Sequence, residues 1–347
     1  MSSAERRRSV TTAPESTKAT ATLAAPKAYP EPGRWALTSD SSGIGVMAAL
    51  LLVAPFLVYP VFLMKALCFA LFASAFNLLI GYVGLLSFGH AAFLGTAGYA
   101  TAHAAKVWGL PPELAILFGT AVAAVLGLVI GALAIRRQGI YFAMITLALA
   151  QMIYFFSVQA KFTGGEDGIQ AVPRGRLFGL MDLSHTLTMY FVVLAVFLGG
   201  FLLIYRTIHS PMGQVLKAIR ENEPRAISLG YTSDHYKLAA FVLSAALSGL
   251  AGGTKALVFQ LASLTDVHWT MSGEVVLMTL LGGLGTVFGP VVGAVFVVAL
   301  ENYLVQLGAW VTVVQGAIFV VCVLVFRRGV VGEFGLLVRT SRKQASS

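Results

Sequence analysis

Residues 271–303 read MSGEVVLMTLLGGLGTVFGPVVGAVFVVALENY. The run is long and apolar enough to cross a bilayer, which takes about 20 residues. Its middle is broken by Gly282, Gly283, Gly285, Gly289 and Pro290. Whether it crosses once or turns back decides the topology. The other candidate spans are 44–63, 65–82, 90–107, 111–135, 139–158, 188–206, 238–258 and 309–326. Lys and Arg gather on the cytoplasmic side of membrane proteins. With the amino-terminal tail placed there, four crossings bring Arg136 and Arg137 to the same side. The loop 159–187 then lies outside, and Arg206, Lys217, Arg220 and Arg225 return inside. A single crossing by 271–303 would strand Arg327, Arg328, Arg339, Arg342 and Lys343 outside. A re-entrant pair of half-helices keeps them inside. Such irregular backbone survives at membrane depth only when buried in protein or lining a wet cavity, and glycine-broken segments mark transport sites in several transporter folds.

Composition agrees with this frame. The chain has 347 residues, 57% hydrophobic and 11% charged, against about 25% charged in soluble domains. The expectation is an all-α polytopic membrane protein with about eight spanning helices and one broken pair. Residues 1–40, rich in Ser, Thr, Ala and Pro, are expected to form a disordered cytoplasmic tail. Residues 41–330 form the transmembrane domain, and 331–347 a second cytoplasmic tail. The net charge of +9 serves orientation and implies no nucleic acid. Cys68 and Cys322 are too scattered for a disulfide framework or a metal site.

One polar island, Ser210–Lys237 (SPMGQVLKAIRENEPRAISLGYTSDHYK), separates two apolar runs. Ser210 suits an N-cap and Pro211 the first helical position. Met212, Val215, Leu216 and Ile219 fall on one stripe. Pro224 stops the first helix near Asn222, and a second short helix runs from Pro224 to Gly230, a residue suited to a left-handed stop. The island is either a plain charged loop or a docking element for a soluble partner.

Other features each carry two readings. Gly81–Tyr99 is a second interrupted stretch, in which His90 either bonds a backbone carbonyl in a tight core or lines a path. Glu274 is the carboxylate most embedded in apolar sequence. Membrane-depth charges are functional suspects, yet Ser272 as a cap would place Glu274 favourably in the first turn of a half-helix. Thr163-Gly164-Gly165-Glu166-Asp167-Gly168 is either a solvated turn or a contact for an external partner. Gly127/Gly131, Gly249/Gly253 and Gly285/Gly289/Gly293 have helix-packing spacing. There is no P-loop, HExxH or GxSxG pattern, and no chain of Asp, Glu and His for a proton relay. Transport energy would come from another subunit. A stand-alone secondary transporter, a channel and a scaffold are the competing classes.

Asn77–Phe93 (NLLIGYVGLLSFGHAAF), the loop 163–168, Ala218–Glu223 with Leu229-Gly230, and Leu281–Thr286 together resemble the LivM family. Its members, within the wider LivH/LivM group, are permease subunits of bacterial ABC importers for branched-chain amino acids. The resemblance covers about residues 60–326. It implies an inner-membrane location with both termini cytoplasmic, a LivH-type partner permease, two ATPase subunits and an external binding protein. ATP and Mg are bound by the partners, with no cofactor in this chain and no covalent chemistry. The island becomes the ATPase-coupling element: Met212, Leu216 and Ile219 anchor it, and Arg220, Glu221, Asn222, Glu223 and Gly230 meet the ATPase or shape the turn. Phe88, Gly89, His90, Glu274, Gly282, Gly283 and Gly285 are expected along the path. Thr163, Gly164, Gly165 and Asp167 are expected to face the binding protein. Urea and short-amide importers use similar permeases, so that substrate class stays open here.

Overall fold

The computed structural model describes residues 34–177, 179, 181–304 and 310–325. The expected tails therefore lie outside the described residues, except where helix α1 (Arg34–Val53) overlaps the first. The chain divides into two units, Met1–Met47 and Ala48–Ser347. The second is an all-α membrane-protein bundle. Five helical segments among the described residues are long and apolar enough to cross a bilayer: Pro60–Val83, Pro112–Ala134, Ile140–Gln159, Thr186–His209 and Ser233–Phe259.

The expected span 44–63 is corrected. Helix α1 ends at Val53, a tight turn follows at Ala54–Phe56, and α2 (Pro60–Asn77) begins three residues beyond a break. Pro55 and Pro60 impose this, since a proline nitrogen donates no hydrogen bond and fits best at a helix start. Helix α2 continues through a π-turn, Leu78–Val83, to Gly84 at φ +83°. It is the axis of the unit, with α6 (Thr186–His209), α9 (Ser233–Phe259), α10 (Trp269–Gly282) and α11 (Gly289–Leu304) packed around it. A second layer is made by α3 (His90–Lys106) and α4 (Pro112–Ala134) against α9. The glycine pairs explain this close approach: Gly249 faces Ala123 and Ala97, Gly253 faces Thr101, and Gly127 faces Ala245. Without a hydrophobic drive between helices in lipid, such small residues let dispersion contacts accumulate. Helix α5 (Ile140–Gln159) is more peripheral.

The broken pair is confirmed as a hairpin. Gly282 meets Gly289 and Met278 meets Gly293, so one helix retreats as the other advances. At 1.5 Å per residue their 14 and 16 residues span roughly 21 and 24 Å, short of the ~30 Å hydrocarbon core. Helix α12 (Val311–Val325) packs against both.

The two ends of the bundle are distinct. At one end lie the helices α7 (Pro211–Glu221) and α8 (Glu223–Ser228) of the island, the α4–α5 turn and the hairpin turn 283–288. At the other lie four two-residue strands. Strand β1 (Ile169–Gln170) pairs antiparallel with β4 (Leu261–Ala262), and β2 (Arg176–Leu177) with β3 (Met181–Asp182). Lys106 Nζ and Arg174 Nη2 add bonds to the carbonyls of Gln170 and Val258 at 2.7 Å each, closing the α9–α10 connection onto the loop 160–185.

Candidate functional site

The island folds as its capping residues dictate. Ser210 Oγ accepts a hydrogen bond from Gly213 N at 3.3 Å, and Pro211 opens α7. Helix α7 stops at Glu221 because Pro224 disfavours helix just before it. Asn222 then caps α8, its Oδ1 accepting from Arg225 N at 3.1 Å. Gly230, at φ +91°, ends the pair. Leu216 and Ile219 are buried and Met212 is half-buried, so the apolar stripe faces the bundle. What the island shows to water includes Glu221 together with Ile227, Leu229 and Tyr231.

Two of the expected outward contacts also bond inward, Arg220 while it stays exposed and Glu223 while half-buried. Arg220 donates through Nη1 to the carbonyl of Gly81, and its stem runs alongside Gly84. Glu223 pairs with Lys237, whose side chain is 4% exposed, and accepts from Gln138 Nε2 at 2.9 Å. The cause is local: the π-turn at 78–83 and the left-handed Gly84 leave carbonyls with no helical donor, and Arg220 lies within reach. Lys217 adds a cation–π contact, 5.6 Å from the Tyr82 ring.

The same place gathers the hairpin turn. Asn77 Nδ2 donates to Thr286 O at 2.9 Å, and Asn77 Oδ1 accepts from Gly285 N at 3.0 Å. Gly283 and Gly285 sit at φ +116° and +72°, conformations that favour glycine. A Cβ on Gly81 would lie 2.7 Å from Gly285 N. The island, the π-turn and the hairpin turn, separate in sequence, thus form one junction. Asn77 lies 3% exposed within it. Its signal in sequence is that it is the one amide in the apolar run 60–83.

The remaining expected path residues hold the interrupted backbone. Residues 85–89 leave helical form, and hydroxyl groups satisfy the freed amides: Thr146 Oγ1 accepts from Phe88 N at 3.2 Å and Ser87 Oγ from Gly89 N at 3.2 Å. Ser272 Oγ accepts from Ala91 N at 2.9 Å. The expectation that Ser272 caps its own helix is therefore corrected. His268 caps α10, with its side chain accepting from Thr270 N, and Glu274 lies beyond the first turn. His90 is fully buried, its Nε2 2.9 Å from Ser244 Oγ, which donates to Ala75 O. Phe76, Phe93 and Phe241 meet its ring edge-on. It is a core residue bonded to the Ser244 hydroxyl and not to a carbonyl.

At the opposite end, Thr163 is buried, donating to Ser157 O and Ala160 O at 2.6 Å, so its expected exposure to an external partner is corrected. Gly164 and Gly168 take positive φ and press on backbone, while Glu166 and Asp167 remain exposed. Sequence reading also missed a set of charges there. Lys65 pairs with Glu301 at 3.1 Å and Lys255 with Asp266.

Bundle, hairpin and junction define a multi-pass α-helical membrane protein whose island helices and glycine turns meet at one end. The family model described as branched-chain amino acid transport system / permease component matches residues 60–323, and the chain belongs to this family. It is 26% identical over 272 residues to the high-affinity branched-chain amino acid transport system permease protein LivM of Escherichia coli K12, covering 72% of this chain and 64% of that protein. The LivM protein of Salmonella typhimurium LT2 is likewise 26% identical over 271 residues, with the same coverage of each. A probable branched-chain amino acid transport permease protein LivH of Methanocaldococcus jannaschii is 28% identical over 149 residues, 43% of each chain. The chain thus spans 64% of the length of the LivM relatives. No solved structure matches.

Proposed function

We propose that this chain is a permease subunit of an ATP-driven importer for branched-chain amino acids. It would work in the inner membrane beside a second permease of LivH type. Two ATPase subunits dock on the island, which places that end and both termini in the cytoplasm. An external binding protein delivers substrate at the other end. ATP and Mg belong to the ATPases, and this chain performs no covalent step. The names of the relatives support the substrate class.

The observation that carries the coupling role is the bond network of the junction. Arg220 ties α7 to Gly81, and Asn77 ties the same turn to Gly285 and Thr286. A push on α7 therefore moves two glycine turns together, and with them α2 and the α10–α11 hairpin. The outer face of the island offers Ile227, Leu229 and Tyr231 to a partner, apolar side chains of the kind that fill an interface core. These, with Glu221, are the ATPase-facing residues of this reading, and Leu216 and Ile219 hold the island to the bundle.

The test is reconstitution with both ATPases. Leu229→Asp and Ile227→Asp are expected to abolish co-purification of the ATPases while the permease still inserts. Retained co-purification and normal uptake by both variants would refute the docking role.

A further inference from the structure

The end opposite the island holds an arrangement that a helix bundle in lipid has little reason to keep. Lys65 (α2), Lys255 (α9), Asp266 (the α9–α10 connection) and Glu301 (α11) converge from separate elements around Phe69. Lys65 pairs with Glu301, and Lys255 with Asp266. Both ammonium groups also lie over Phe69, at 5.9 and 5.0 Å from the ring centre. Glu274 lies in electrostatic range of all four charges, yet has no ion-pair or hydrogen-bond partner among the described residues. An unpaired carboxylate in an apolar helix is costly, and a ligand carrying an ammonium group would offset that cost.

A cavity of about 310 Å³ opens beside this cluster. Lys65 lines it with Tyr59, Phe62, Phe259, Asn302 and Tyr303. The Lys65 side chain is 33% exposed, so its pairing with Glu301 is open to exchange. A larger cleft, about 560 Å³, lies between α3, α4 and α5, but its lining is almost wholly carbon and holds no charge for a zwitterion.

We infer that Lys65, Glu301 and Glu274 form an entry station for a zwitterionic amino acid with an apolar side chain. This rests on the importer reading above and deepens it. The substrate carboxylate takes the Lys65 ammonium. The substrate ammonium takes Glu301 and then the unpaired Glu274. The side chain lies against Phe62 and Phe259. Lys255 and Asp266, paired and less exposed, keep their own bond and fix the shape of the floor. A neutral amide would gain neither charge contact, so the station discriminates between the two substrate classes that the sequence left open.

The test uses the whole transporter in nanodiscs, without binding protein, and radiolabelled leucine as the probe. Lys65→Met and Glu274→Gln are expected each to weaken leucine binding by about tenfold or more, as loss of a charge-assisted bond does. Lys65→Arg, which keeps the charge, retains binding and guards against misfolding of the methionine variant. Glu166→Gln on the exposed loop has no effect. Neither 4-methylpentanoate, lacking the ammonium, nor isopentylamine, lacking the carboxylate, competes with leucine. Unchanged leucine binding in both Lys65→Met and Glu274→Gln, with ATP-driven leucine uptake intact, overturns the station and leaves the importer reading standing. No ATP-driven leucine uptake by the wild-type complex with its binding protein overturns that reading, and the station with it.

Discussion

The two ends of the bundle are built on opposite principles. At the island end, glycine turns press backbone against backbone, and the contacts that fix them are hydrogen bonds to carbonyls and amides from Asn77 and Arg220. At the other end, charges from α2, α9, the α9–α10 connection and α11 face one another around Phe69. Hydrogen bonds between backbone turns are short-ranged and directional, so they transmit displacement. Charges in a low-dielectric wall act over longer range and bind exchangeable partners. On the reading proposed above, mechanics belong to one end and recognition to the other, and each assignment is breakable.

The largest effect is expected from filling the junction. In Gly81→Ala the new methyl would stand 2.7 Å from Gly285 N and 2.9 Å from its Cα. Backbone must shift, at a cost of roughly 1–3 kcal/mol or more, read as a lowered melting temperature of the purified complex. The equivalent change at Gly273, where no atom lies within 4 Å, should leave melting unchanged. Asn77→Ala comes next. It strands Gly285 N and Thr286 O, costing roughly 1–3 kcal/mol, and should lower uptake more than ATP hydrolysis. Glu223→Ala leaves the Lys237 ammonium without its partner while the side chain stays 4% exposed. A loss of roughly 1 kcal/mol is expected, because Glu223 is itself half-buried and water reaches the pair, and Lys237→Met in the same chain should recover much of it.

The smallest effect concerns the exposed turn that follows β3. Ser184 N donates to Asp182 Oδ1 at 2.8 Å, and this bond holds the Asp182 carboxyl below its usual range, with Arg176 and His185 assisting. A depressed folded-state value means the turn is held above the ordinary carboxylate range and released as pH falls through the lowered value. Amide exchange at Ser184 should therefore stay slow to below about pH 4 and quicken only under stronger acid. Asp182→Asn should remove that pH dependence with no effect on uptake.

What was legible in the sequence was local. Prolines, glycines and caps placed the island helices almost to the residue, because Ser210, Pro211, Pro224 and Gly230 act on their immediate neighbours. Charge asymmetry revealed the hairpin, because a single crossing strands too many arginines. The contacts that give these pieces meaning were not legible. The inward bond of the exposed Arg220 was hidden because its acceptor, Gly81, is 139 positions away. Ser272 looked like a cap for its own helix, while the amide it satisfies lies 181 positions away. Lys65 and Glu301 drew no reading from the sequence, and their separation of 236 positions hides the pair. His90 stayed open between core and path because polarity inside an apolar run is ambiguous until its partner, Ser244, is seen.

The central claim is that Arg220 carries motion from the island to the glycine turns. Its most direct measurement is leucine taken up per ATP hydrolysed, in liposomes holding the complete complex. For Arg220→Ala the account predicts hydrolysis near the wild-type rate and a collapse of that ratio, by about tenfold. A wild-type ratio in the variant would contradict it.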